Sequence, residues 1–175
     1  MTHHVPNGFH TVTPFILVKG ADRVIDFLQR AFGASEIYRL KHEDGSVWHS
    51  QIKIGDSMIM LGDVQDKQPS MASSIYLYLP DADTAYQNAL KAGGTSIMPP
   101  EDQFYGDRSG GVRDPIGNMW WIGTHIEDVS HDELDRRLPR SCRSERPAKI
   151  YVFWPSPRDR WPVAGARFPA GLPSR

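Results

Sequence analysis

Residues 15–33, FILVKGADRVIDFLQRAFG, recur as residues 76–94, YLYLPDADTAYQNALKAGG, at a constant offset of 61. Each copy is a short apolar run, a turn carrying Ala-Asp (Ala21-Asp22, Ala82-Asp83), an amphipathic stretch and a glycine stop. A period near 60 residues is too long for a solenoid repeat and suits two copies of one supersecondary unit. Two like sheets set side by side enclose a concave surface, and function is sought there.

Outward from the repeat, TVTPFILVK (11–19) reads as a strand whose Pro14 sits near its start, where a missing N–H is tolerable. Val24, Ile25, Phe27, Leu28 and Ala31 share one face of a helix predicted over 22–32, with Asp22 as N-cap and Gly33 as stop. SEIYRLKH, SVWHSQIKI and SMIMLGD follow as three strands, parted by Glu43-Asp44-Gly45 and Gly55-Asp56. In the second copy, SSIYLYLP is a strand, 83–92 a helix and TSIMPP the start of a strand. A polar loop, EDQFYGDRSG (101–110), then GGVRDP, a turn at Pro115-Ile116-Gly117 and the strand NMWWIGTH complete it. Ser130 with Glu133 has the spacing of a capping box and opens a short helix over 130–138. The expected class is α+β: two βαβββ modules forming a concave mixed sheet, with a C-terminal extension.

Composition bounds the rest. A hydrophobic content of 39% supports a core, and a formal net charge of −1 calls for neither nucleic acid nor membrane. No stretch approaches the length of a membrane span. MTHHVPNGFH lacks the regions of a signal peptide, and one cysteine, Cys142, forms no internal disulfide, so a cytoplasmic protein is expected. Charge is uneven: residues 139–175 carry +6 and hold seven of the fourteen prolines, leaving −7 on residues 1–138. Proline at that density sustains neither helices nor a central strand. Residues 1–138 are read as the domain and 139–175 as a basic Pro/Arg-rich, irregular tail; binding of an acidic partner or nucleic acid by that tail is the alternative.

Three segments, TPFILVKGADRVIDFLQRAFGA, HSQIKIGDSMIMLGD and above all DQFYGDRSGGVRDPIGNMWWIGTHIEDVS, resemble the vicinal oxygen chelate superfamily of glyoxalases, bleomycin resistance proteins and extradiol dioxygenases. Within it the chain is most similar to the PhnB-like group, over roughly residues 11–130. The resemblance implies the paired-module fold and a homodimer. It also implies one divalent metal, held by His or Glu at four strand positions. Counted from Val18, Leu79, Gly55 and Gly117, those positions are Thr13, Ser74, Ile59 (Met60 if the register slips) and Trp121. None is an imidazole or a carboxylate, whereas a catalytic cation needs about three basic N or O donors. No metal site and no cofactor are expected, a bound divalent metal ion being the alternative.

Side-chain alternation fills the cavity instead. Phe15, Tyr76, Tyr78, Met119 and Trp121 supply apolar area, with His49 and Gln51 as polar contacts. Tyr105 and Arg108 stand on the 101–110 loop at the rim, where Arg108 either meets an anionic ligand or pins the loop through an ion pair to an aspartate. His10, His42, His125 and His131 show no ligand spacing; Asp63, Asp66 and Asp81–Asp83 read as solvated turns. The reading is a metal-free binder of a small aromatic or amphipathic molecule, similar to bleomycin-sequestering proteins. The alternative is a glyoxalase/isomerase-type lyase or dioxygenase-like enzyme. It would use a divalent metal, or His49 or Tyr105 as acid/base, with Glu43 or Asp107 as a carboxylate partner of His49.

Overall fold

The computed structural model describes residues 4–65 and 70–138. The tail, Cys142 and Asp66 lie outside the described residues. Elements follow the order β1 (Phe15–Val18), α1 (Ala21–Phe32), β2 (Ser35–Lys41), β3 (Val47–Ile54), β4 (Ser57–Asp63), then β5 (Ser74–Tyr78), α2 (Ala82–Lys91), β6 (Thr95–Asp102), β7 (Asp107–Arg113) and β8 (Met119–His125), with α3 (His131–Arg137) last. Two four-stranded sheets result, ordered β1-β4-β3-β2 and β5-β8-β7-β6, each with one parallel pair and two antiparallel ones. These are the two βαβββ modules that the repeat predicts.

Alternation along each strand fixes which face is buried. Ile16, Val18, Ile52 and Leu61 of the first sheet and Val112, Trp120 and Ile122 of the second enter one core. There α1 packs on α2, and Phe32 of α1 meets Trp120 at a ring separation of 5.9 Å. Each sheet turns its other face away from this core. Those two open faces carry the predicted site residues other than Arg108.

Two buried or half-buried aspartates hold the frame. Asp63 accepts from the backbone N–H of Gly20 (2.6 Å), Ala21 (3.0 Å) and Val47 (2.7 Å). It therefore caps α1, whose N-cap residue is Gly20 at φ +87°, and Asp22 lies inside the first turn. A local reading assigns Asp63 to solvent because the N–H groups it serves lie at least 16 residues away. Asp114, 4% exposed, accepts from the N–H of Ile116, Gly117 and Asn118, from Asn118 Nδ2 and from Trp120 Nε1. It shapes the β7–β8 turn and anchors the core indole. Asp81 caps α2 by accepting from Thr84 N, and Ser130 caps α3 by accepting from Glu133 N.

The expected polar loop 101–110 is mostly strand: β6 runs to Asp102, four residues turn, and β7 begins at Asp107. Gly106 forms the turn at φ +95°, while Gly110 serves the sheet. Gly110 lets β7 pass β6 closely, since a Cβ there would lie 2.9 Å from Pro100 N and 3.0 Å from Met98 O.

Candidate functional site

The second open face is an aromatic floor set on glycine. Parallel pairing of β5 with β8 puts Tyr76 beside Trp121 and Tyr78 beside Gly123. Antiparallel pairing of β8 with β7 puts Trp121 beside Gly111, Gly123 beside Ser109 and His125 beside Asp107. A Cβ at Gly111 would lie 2.7 Å from the Trp121 ring, and one at Gly123 would lie 2.3 Å from the Tyr76 hydroxyl. The missing side chains let both rings lie down on the sheet. Met119 stands half-buried beyond Trp121, whose Nε1 donates to Ser74 Oγ (3.1 Å).

Polar groups gather at one end of this floor. Asp107 is 3% exposed, yet its carboxylate faces the open side. It accepts from the hydroxyls of Tyr78 (2.9 Å) and Tyr76 (3.3 Å), while His125 Nδ1 lies 2.8 Å from its other oxygen. His125 Nε2 lies 3.0 Å from Asp128. Tyr105 folds back from the β6–β7 turn, its hydroxyl 3.1 Å from Ser109 Oγ. Tyr76 and Tyr78 are tilted neighbours at 5.0 Å. Burial raises all three phenols above the ordinary tyrosine range; the adjoining Tyr105 adds to the effect on Tyr76, and the hydrogen bond to Asp107 to that on Tyr78. The hydrogen bond to Asp107, and next that to Asp128, raise His125 above the ordinary histidine value.

The first open face carries Phe15, His49 and Gln51. Phe15 is half-exposed and meets His49 edge-on at 6.0 Å; His49 Nε2 lies 3.5 Å from Gln51 Nε2. Gln51, Met60 and Thr13 join residues of the N-terminal segment, including Phe9 and His10, around a depression of about 720 Å³. The predicted residues thus divide between two faces: Phe15, His49 and Gln51 on one, Tyr76, Tyr78, Tyr105, Met119 and Trp121 on the other. Arg108 belongs to neither. β7 turns it away from Asp107, and it binds Asp83 through Nε (2.5 Å) and Nη2 (2.8 Å) and Asp102 through Nη1 (2.9 Å). Of the two roles open to it, the structure places it in the ion pair, and Asp83 is its partner rather than a free turn residue.

The register also corrects one of the four positions at which the resemblance implies metal ligands. Phe15 pairs with Met60 as Tyr76 pairs with Trp121, so Met60 is the counterpart of Trp121. Ile59 is core. Counting from Gly55 misses by one because Gly117 corresponds, through the 61-residue offset, to Asp56. Thr13, Met60, Ser74 and Trp121 offer two hydroxyls, a thioether and an indole. Thr13 Oγ1 already donates to His10 O, and Ser74 Oγ accepts from Trp121. Such a set does not fit a catalytic divalent cation. Among the described residues no three His, Cys, Asp or Glu side chains are grouped to hold a metal ion.

Residues 8–122 match the family model of the glyoxalase/bleomycin resistance protein/dioxygenase superfamily. The chain belongs to this superfamily. A protein of Mycobacterium tuberculosis (strain H37Rv), itself uncharacterised, is 34% identical over 141 residues, covering 73% of this chain and 81% of its own. Among solved structures, PA1353 of Pseudomonas aeruginosa superposes with a TM-score of 0.58 at 17% identity, over 67% of this chain and 99% of that one. A PhnB protein of Bacillus cereus superposes at 0.51 and 19% identity, over 66% and 99%. At such identities the likeness shows the fold alone. No helix among the described residues is long and apolar enough to cross a membrane.

Sequence reading offered Asp107 as a partner of His49, whereas it bonds His125, Tyr76 and Tyr78 as the hub of the second face; Ser109, His125 and the two glycines were missed with that role. The available signal was the repeat of aromatics two apart (Tyr76, Tyr78) facing a Gly-rich strand.

Proposed function

We propose that this superfamily member, of the PhnB-like type, binds a small aromatic or amphipathic molecule on the open face of its second sheet, without a divalent metal. One observation carries the reading: Tyr76, Tyr78 and Trp121 form a floor that glycines keep flat, with a fixed polar end at Asp107. A ligand stacked there gains apolar burial plus roughly 0.5–1.5 kcal/mol per aromatic contact, which suffices for micromolar binding. Tyr78 is 67% exposed and Phe15 50%, so each face is shallow by itself. A homodimer, as the superfamily leads one to expect, covers such faces with a second copy. The protein then acts in the cytoplasm on a diffusible small molecule.

The test is calorimetric titration of the full chain with 2-naphthamide, before and after extensive chelation, and with Trp121→Ala and Tyr78→Ala. Binding that survives chelation and weakens about tenfold or more in both variants supports the reading. Binding that vanishes on chelation and returns with one equivalent of a divalent metal overturns it. The enzymatic alternative draws its support from the Asp107–His125 pair. His49 meets Gln51 and Phe15, and among the described residues no carboxylate is hydrogen-bonded to it.

A further inference from the structure

His125 presents the second face with one more feature. Its Nδ1 is fixed on Asp107, whose side chain is 4% exposed and which therefore holds the ring in one orientation. Asp107, being a carboxylate, contributes no proton, so Nδ1–H is the donor. The other nitrogen reaches the open side and meets Asp128 at 3.0 Å. The Asp128 side chain is fully exposed, and an exposed pair of this kind is held weakly. The neighbouring carboxylate between β8 and α3, that of Glu127, is engaged by both terminal nitrogens of Arg137 (2.7 Å each). A carboxylate thus sits on an outward-facing imidazole N–H, one hydrogen-bonded residue away from the Tyr76–Tyr78 floor.

Resting on the binding reading above, we propose that Asp128 is an intramolecular stand-in for ligand, that His125 Nε2–H is a carboxylate-recognition point, and that the natural ligand is an aromatic carboxylate. Its ring lies on the Tyr76, Tyr78 and Trp121 floor. Its carboxylate replaces that of Asp128 on His125. The exchange conserves local charge: one anion leaves the imidazolium and another arrives, with Asp107 behind the ring in both states. An organic cation would face the imidazolium, and a phosphate dianion would add charge beside Asp107, so neither is favoured. His125 and Trp121 lie on the same face of β8, four residues and hence about 13 Å apart. Gly123, between them, leaves the path clear of a side chain of its own.

The experiment titrates the full chain with benzoate, 2-naphthoate and indole-3-acetate, each beside its primary amide, by calorimetry and ligand-observed NMR at pH 6. At least one carboxylate is expected to bind about tenfold tighter than its amide, the worth of one charge-assisted hydrogen bond. His125→Gln removes that preference. Asp128→Asn, at an exposed position that costs the fold little, tightens the carboxylate about three- to tenfold by removing its competitor. Preference fades as pH rises through the titration of His125. Asp107 and Asp128 are the carboxyl groups that face His125, and the phenols around Asp107, those of Tyr76, Tyr78 and Tyr105, are raised and stay neutral there. Equal binding of acids and amides, or weaker acid binding in Asp128→Asn, overturns the anchor while leaving the aromatic floor standing. Absence of binding by every acid and amide at millimolar concentration overturns both.

Discussion

Replacing Gly123 with alanine tests the aromatic floor at its closest contact. The new Cβ would stand 2.3 Å from the Tyr76 hydroxyl and 2.8 Å from two carbons of its ring. Gly123 has no left-handed backbone angle, so alanine itself is acceptable there. The clash falls on the end of one side chain, and Tyr76 must lift from the sheet. Lifting it breaks its hydrogen bond to the buried Asp107, worth about 1.5 kcal/mol because the acceptor is charged and the contact long, and re-exposes ring surface worth about 1 kcal/mol. The expected cost is about 2–3 kcal/mol, or roughly 6–15 °C in Tm for a domain of this size. Urea and thermal unfolding of Gly123→Ala, Tyr76→Ala and the double variant measure it. If the ring is the only obstacle, Gly123→Ala costs less than about 0.5 kcal/mol once Tyr76 is gone. Additive losses, or a wild-type-like Gly123→Ala, refute the geometry.

Other expectations are as direct. Asp114→Ala strips five donors, three of them backbone N–H groups, of their shared acceptor and should cost about 3–5 kcal/mol in urea unfolding; a loss under 1 kcal/mol contradicts the hub. Arg108→Ala removes an exposed ion pair, costs less than about 1 kcal/mol and leaves aromatic-probe affinity unchanged; a large affinity loss places Arg108 in the site after all. In an NMR pH titration His125 should protonate above the ordinary histidine value of about 6.5, and Asp107→Asn should bring it down. Because its folded pKa is the higher one, its stabilising contribution is complete below about pH 6.5 and fades as pH climbs through the folded value. A titration at or below 6.5 contradicts the Asp107 and Asp128 contacts.

The modules were legible because the repeat carries them: apolar run, Ala-Asp turn, amphipathic helix and glycine stop occur twice at one offset. That offset also identifies Met60 as the counterpart of Trp121, whereas counting from a turn glycine fails because the turn glycine has moved by one position between copies. Alternation put Tyr76, Tyr78, Met119 and Trp121 on one face and His49 with Gln51 on another strand's open side. It could not say that these faces belong to different sheets backed by a common helical core, since that depends on α1 meeting α2. Asp63 and Asp107 were hidden for a related reason. Each looks like a surface turn residue locally and gains its partners only through strand pairing or a helix end far along the chain. The stretch 101–110 misled through composition: its polar and glycine residues read as loop, yet Gly110 makes room for the β6–β7 approach and the next residue, Gly111, for Trp121.

The central claim is that ligand binds on the second open face. Indole N–H resonances report on it most directly, because the chain's five tryptophans include one on that face and one beneath it. Trp121 Nε1 donates to Ser74 on the open side, and Trp120 Nε1 donates to Asp114 in the core. Titration of the nitrogen-15-labelled full chain with 2-naphthoate and 2-naphthamide should shift the Trp121 indole saturably and leave Trp120 in place. A saturable shift at Trp48 with Trp121 unmoved would place the ligand elsewhere and contradict the account.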